Sequence, residues 1–197
     1  MGEAGPDAEA VARVRSGETE AFRSLVERHT RAVYRLAYRL TGNQHDAEDV
    51  VQEAFLRAFK RLDDFEERSQ FGSWLHRIAA NCAYDLLRAR ARDQLRLRPA
   101  EDEEDGIERH VPSPQPGPER LAAGQEVRSR LHHAMEHMSA LERTACTLRH
   151  LEGRSIAEIG GALGLDTSAV KQSIFRAVRK VRRLLGEMAP QAAGAKP

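Results

Sequence analysis

Residues 155–185 read SIAEIGGALGLDTSAVKQSIFRAVRKVRRLL. Ser155 followed by Glu158 is a Ser-x-x-Glu capping box, in which the two residues satisfy each other's free amides at a helix start. A short apolar helix follows, Gly164 stops it, and Asp166 is placed to cap a second, longer one. In that helix Val170, Ile174, Ala177, Val178, Val181 and Leu185 recur at helical steps and form a stripe to be buried. Two capped helices joined by a tight turn make a helix-turn-helix. Opposite the valines stand Lys171, Gln172, Phe175, Arg176, Arg179 and Arg183, and the span 167–185 holds six Lys or Arg and no acid. Such a face neutralises phosphates, Gln172 and Arg176 are types that pair with base edges, and Phe175 suits a thymine methyl. A solvated charged helix with one stray aromatic is the plainer alternative. Two caps, a turn and an acid-free basic helix together favour DNA binding.

Working back towards the N-terminus, Gly153 separates this unit from another helix opened by a second capping box, Ser139 with Glu142. Before it, Leu121, Val127, Leu131, Met135 and Met138 give one face to a helix starting near Glu119. Residues 97–119 differ in character: EDEED is followed by VPSPQPGP, with four prolines between Pro112 and Pro118. That composition buries too little apolar surface to offset its ordering entropy and predicts a flexible acidic, Pro-rich linker. Upstream the helical period returns. Asp7 is expected to cap a short helix, and Phe22, Leu25, Val26, Val33, Leu36, Ala37 and Leu40 mark a second. Asp46 is expected to cap a third, with Ala47, Val50, Val51, Ala54, Phe55, Ala58, Phe59 and Leu62 on its buried stripe. Phe71, Trp74, Leu75, Ile78, Ala79, Cys82 and Leu86 face inward from a fourth. No useful alternating strand pattern occurs. The expectation is an all-α chain in two helical domains: a bundle over 8–96, the linker over 97–119, and the helix-turn-helix domain over 120–186. Residues 1–7 and 187–197 are expected to be disordered.

Composition excludes several classes. Charged residues make up 31% of the 197 and aromatics 5%, which suits helices with solvated outer faces rather than an aromatic-rich pocket. Cys82 and Cys146 stand far apart without neighbouring ligands, which excludes a Cys-based zinc module and argues against a disulfide scaffold. The acidic N-terminus lacks the regions of a signal peptide, and no apolar run approaches the roughly 20 residues of a membrane span. We therefore expect a cytoplasmic protein with no membrane insertion. No Gly-rich phosphate loop, metal cluster or nucleophile–base pair is visible, so no catalytic residue, metal or cofactor is expected. His132, His133 and His137 lie within two turns, where a solvated helix face is the plainer account.

Two further faces carry candidate residues. On the third helix Asp49, Gln52, Glu53, Leu56, Arg57 and Lys60 form an outer face of mixed charge. It is either a solvated surface or a docking face for another protein's helix, and residue types alone do not separate the two. On the fourth, Arg77, Asn81, Tyr84 and Arg88 follow at steps of four, three and four, beside the polar loop EERSQ with Arg68 and Ser69. Asn donates and accepts, Tyr stacks and Arg meets phosphate, as single-strand binding requires; a set of ordinary mid-helix polar residues fits equally well.

The order of these segments carries a resemblance. AFRSLVERHTRAVYRLAYRLTGN (21–43), DAEDVVQEAFLRAFKRL (46–62) and FGSWLHRIAANCAYDLLR (71–88) resemble domain 2 of the extracytoplasmic-function (ECF, group 4) sigma factors. Residues 141–185 resemble their domain 4. The resemblance implies a promoter-specific initiation factor whose partners are core RNA polymerase (the largest-subunit clamp coiled coil and the flap), promoter DNA and an anti-sigma factor. It implies polymerase contacts at Asp49, Gln52, Glu53, Leu56 and Arg57. It implies −10 contacts, with capture of a flipped base, at Arg68, Ser69, Phe71, Arg77, Asn81, Tyr84 and Arg88. It implies −35 contacts at Lys171, Gln172, Ser173, Phe175, Arg176, Arg179 and Lys180. The acidic linker would thread towards the polymerase active-site cleft. Where the family often has Thr-Val-Lys-Ser-Arg-Leu, this chain has Ala169 to Ile174 as AVKQSI, and Glu66 and Glu67 stand where Arg-Gly is common. Its promoter preference is accordingly expected to differ. A free-standing regulator using the same helix-turn-helix would dimerise on palindromic half-sites, and no heptad seam is present for that.

Overall fold

The computed structural model describes residues 5–66, 70–96 and 133–187, with the side chains of Leu95 and 184–187 left out. The N-terminal part holds α1 (Pro6–Arg15), α2 (Phe22–Thr41), α3 (Gln44–Lys60) and α4 (Phe71–Arg96). The C-terminal part holds α5 (Ala140–His150), α6 (Ile156–Leu163) and α7 (Thr167–Glu187), after a helical stretch at 133–136. Short 3-10 turns at Thr19–Ala21 and Leu62–Asp64 lead into α2 and out of α3. Among the described residues there is no strand, and the fold is all-α as expected. The linker and the face of Leu121, Val127 and Leu131 lie outside the described residues.

The apolar steps of α2, α3 and α4 converge on one core, in which Leu25, Val33, Leu36, Leu40, Val50 and Leu75 are 0–1% exposed. Each such side chain contributes about 1.5–3 kcal/mol of burial, which holds three helices with charged outer faces together. Helix α1 starts at Pro6, inside the tail expected to be disordered, and no side chain caps it. Asp7 is not the cap. It pairs with Arg28 and meets His29 Nε2 at 2.8 Å, fastening α1 to α2. Asp46 is not a cap either. Asn43 takes that place, its Oδ1 accepting from the Asp46 amide at 2.8 Å, and Asp46 lies inside the first turn at 1% exposure. There it pairs with Arg90 of α4 and accepts from Asn43 Nδ2 at 2.6 Å, a buried staple between the start of α3 and the far end of α4.

Both predicted capping boxes are present, at Ser139–Glu142 and Ser155–Glu158. Gly164 ends α6 at φ 64°, a left-handed conformation that costs a glycine little. Asp166 Oδ1 then accepts from the amides of Ser168 at 2.8 Å and Ala169 at 2.9 Å, opening α7. The two parts do not stand apart. Helices α5 and α6 both pack on α4, and Ala145, Leu148, Ile159, Leu163 and Val170 join the core of the first bundle.

Candidate nucleic-acid interface

Helix α7 has one side in the core and one in solvent. Val170 and Ala177 are fully buried, and Lys171, Gln172, Phe175, Arg176 and Arg179 face outward. Phe175 is 63% exposed, with the Arg179 guanidinium 5.9 Å from its ring centre, so an apolar plate and a cation are presented as one unit. Not every residue expected on this face is there. Ser173 is fully buried, and its Oγ donates to the Ala169 carbonyl at 2.9 Å, because its position turns it to the inner side of the helix. Lys180 is half-buried and donates to the His137 carbonyl at 2.9 Å and Glu142 Oε2 at 2.6 Å. Arg176 Nε donates to Glu142 Oε1 at 3.1 Å while the rest of its side chain stays accessible. Glu142 is thus the capping-box acid of α5 and the anchor of two cations on α7. Burial pushes its carboxyl up, but Lys180, the Ser139 amide and Arg176 more than offset this and hold it below the ordinary carboxylate range.

Along α4, Arg77 and Arg88 are exposed, and Asn81 and Tyr84 between them are half-buried. They share one side of the helix, with the amide and the phenol set into the surface between two cations. Phe71, a −10 contact by the resemblance, is 2% exposed and belongs to the core, on the inward side where its helical period places it. Its ring lies 5.7 Å from both Phe65 and Trp74, and Phe65 lies 5.2 Å from Trp74. This aromatic cluster pins both ends of the loop between η-turn and α4. Arg68 and Ser69 of that loop lie outside the described residues.

Asp49, Gln52, Glu53 and Leu56 are exposed on α3, and Arg57 is half-exposed beside them. With Cys82 and Asp85 of α4 they line an open groove of about 660 Å³. Arg57 spans it, donating to Glu53 at 2.6 Å and Asp85 at 3.1 Å, and these carboxylates raise the guanidinium pKa further. At its base burial pushes the Cys82 thiol up to about 11, so it stays protonated and inert. On the other side of α3 a second, apolar groove of about 600 Å³ runs between α2 and α3, lined by Phe22, Val26, Tyr34, Val51, Phe55 and Phe59. Phe59, expected in the buried stripe, is 41% exposed at its rim.

The family model described as Sigma-70 region 2 matches residues 25–93, and that described as Sigma-70, region 4 matches residues 128–181. The chain is 30% identical to the ECF RNA polymerase sigma factor SigW of Bacillus subtilis, over 90% of this chain and 96% of that protein. The chain belongs to the ECF sigma factors of the sigma-70 family. It is 36% identical to the ECF RNA polymerase sigma factor SigE of Mycolicibacterium smegmatis over 86% of its own length, and spans 63% of that longer relative. Its fold is similar to that of the sigma factor RpoE solved in complex with the anti-sigma factor NepR from Bartonella quintana. The TM-score is 0.58, with 24% identity over 85% of this chain and 98% of that one. This sigma factor directs promoter-specific transcription initiation.

The contact between the two parts of the sigma factor is absent from any local sequence signal. Arg39 of α2 pairs with Glu152, which follows α5. His76 of α4 is mostly buried in this seam near Glu152, Arg154, His29 and Arg35, and burial lowers its pKa below the ordinary imidazole value. Arg143 is 8% exposed, with Nε and one terminal nitrogen lacking a hydrogen-bond partner among the described residues. Burial lowers its pKa, against the pull of Glu136 and Asp46. Among the described residues no group of three or more His, Cys, Asp or Glu could hold a metal ion, and no helix is long and apolar enough to cross a membrane.

Proposed function

We propose that three faces of this sigma factor divide the work of initiation. The α3 face of Asp49, Gln52, Glu53, Leu56 and Arg57 docks the clamp coiled coil of core RNA polymerase. Its mixed charge and the exposed Leu56 suit a partner helix that is polar at its edges and apolar along its seam. The α4 stripe of Arg77, Asn81, Tyr84 and Arg88, with Arg68 and Ser69 of the adjoining loop, holds melted −10 DNA, the cations on phosphates and Tyr84 and Asn81 on a base. The α7 face of Lys171, Gln172, Phe175, Arg176 and Arg179 enters the −35 major groove. The domains run 8–96 and 120–186, and the acidic stretch 97–119 between them occupies the polymerase cleft until RNA displaces it. An anti-sigma factor holds the protein in the cytoplasm by covering the same faces; the fold-related RpoE is bound by such a partner.

The observation that carries this reading is the outer face of α7. Lys171, Gln172, Phe175 and Arg179 stand in solvent with no acid in the helix before Glu187, while Glu142 fastens the inner edge. The test uses purified full-length variants with core polymerase. Gln52→Ala with Leu56→Ala is expected to weaken assembly with core on every promoter. Lys171→Ala is expected to weaken the −35 contact about uniformly across sequences and to reduce its salt dependence by about one unit of slope. If Gln52 and Leu56 are dispensable for core binding, or Lys171 for −35 binding, the assignment of that face fails.

A further inference from the structure

Upstream of α5, the chain reads His133-Ala134-Met135-Glu136-His137, a stretch outside the three faces assigned above. Residues 133 and 137 are four apart, so the helical turn over 133–136 brings both imidazoles to one side. Their Nε2 atoms lie 3.3 Å apart and their rings are nearly perpendicular, with centroids 4.6 Å apart. Two nitrogens each bonded at 2.0–2.1 Å to one tetrahedral zinc ion stand about 3.3–3.4 Å apart. The observed pair already has that spacing. Glu136 Oε2 lies 3.7 Å from His133 Nδ1, on the ring side away from His137. A carboxylate there favours the proton on Nδ1 and leaves the Nε2 lone pair pointing at the partner ring, the arrangement that fixes the tautomer of metal-ligating histidines. With metal bound, both rings carry their proton on Nδ1 and both Nε2 atoms donate their lone pairs to the ion.

We infer that His133 and His137 form a two-imidazole surface chelate for a divalent transition metal of the zinc type, with Glu136 orienting His133. Water or a second molecule completes the coordination sphere, since the described residues offer no third ligand. Both rings are accessible, with 44% of the His133 side chain exposed and His137 exposed, so a hydrated ion reaches them without rearrangement of the fold. The site adjoins α7, because Lys180 Nζ donates to the carbonyl of His137 itself.

The test is calorimetric titration of the full-length, untagged protein with zinc chloride. One ion per chain is expected. His133→Ala or His137→Ala removes one arm of the chelate and is expected to weaken binding about 100-fold. Glu136→Gln keeps both ligands and is expected to weaken it about tenfold. His132→Ala, His45→Ala and His150→Ala are expected to leave binding unchanged. Circular dichroism of each variant separates lost ligation from lost folding. Nitrogen-15 spectra of the imidazoles provide a second readout, in which zinc shifts Nε2 of residues 133 and 137 together. Binding that survives both alanine variants, or that follows His132 or His150 instead, overturns the proposal, as does the absence of any zinc-dependent shift at Nε2. None of these outcomes depends on promoter recognition.

Discussion

Replacing Glu142 by Gln removes one negative charge and almost no volume, at the point where α5 and α7 meet. The carboxylate is 5% exposed and accepts from Lys180 at 2.6 Å, from Arg176 at 3.1 Å and from the Ser139 amide at 3.0 Å. The amide oxygen of Gln can still accept from Ser139, so the helix cap survives and only the charge-assisted bonds are lost. A wholly buried pair broken on one side would cost about 3–5 kcal/mol. Here Arg176 and Lys180 keep 54% and 35% of their side chains in solvent and rehydrate, which reduces the expected cost to about 1–2 kcal/mol. For a chain of this size that is a fall in Tm of about 2–8 °C. The pH dependence gives the sharper discrimination. The Glu142 pKa is lowered in the folded protein, so its contribution is complete above the unfolded carboxyl value of about 4.3 and is lost as pH falls through the folded value. The gap in Tm between wild type and Glu142→Gln should therefore be widest at pH 7 and shrink towards pH 3.5, as followed by scanning calorimetry. Equal Tm values at pH 7, or a gap that does not narrow in acid, would refute this account of the anchor.

Further variants probe the remaining contacts. Arg90→Ala leaves Asp46 buried without its cation and is expected to cost about 3–5 kcal/mol in urea denaturation; a loss under 1 kcal/mol would mean the staple is not formed in solution. Gly160→Ala places a Cβ 2.7 Å from the Leu165 carbonyl oxygen in the helix-turn-helix, with an expected cost of about 1–3 kcal/mol by calorimetry. Burial lowers the His76 pKa, so wild-type stability should decline as pH falls below the unfolded imidazole value of about 6.5. His76→Gln should flatten that slope, measured as denaturation midpoints at pH 7.5 and 5.5. Phe175→Ala, at a 63% exposed position, should change stability by less than about 0.5 kcal/mol yet weaken −35 duplex binding by about 1 kcal/mol, read by fluorescence anisotropy.

What could be read from the sequence was local. Ser139–Glu142, Ser155–Glu158, Gly164 and Asp166 act within three residues of themselves, and each sits in the structure where its spacing places it. Helical periodicity likewise located α2, α3 and α4. It failed at Phe59, which is apolar and in step with the buried stripe but stands at a groove rim; the resemblance places Ser173 and Phe71 among the DNA contacts, and both are turned inward, Phe71 as its helical step requires. Asp46 shows the same limit. As a cap it would act through its own helix, but Asn43 holds that place and the Asp46 carboxylate reaches an arginine 44 residues away. The seam between the two parts, with His76, Arg39, Glu152 and Arg143, arises from chain segments far apart in sequence, and no spacing rule marks it.

Run-off transcription with bacterial core polymerase on a randomised promoter library, with and without the protein, tests the division of labour most directly. Defined transcripts that appear only with the protein and share −35 and −10 motifs are the predicted result, with Phe175 and Lys171 variants altering dependence on the −35 motif. Binding of a palindrome by the protein alone, with no new start sites when core is added, would contradict it.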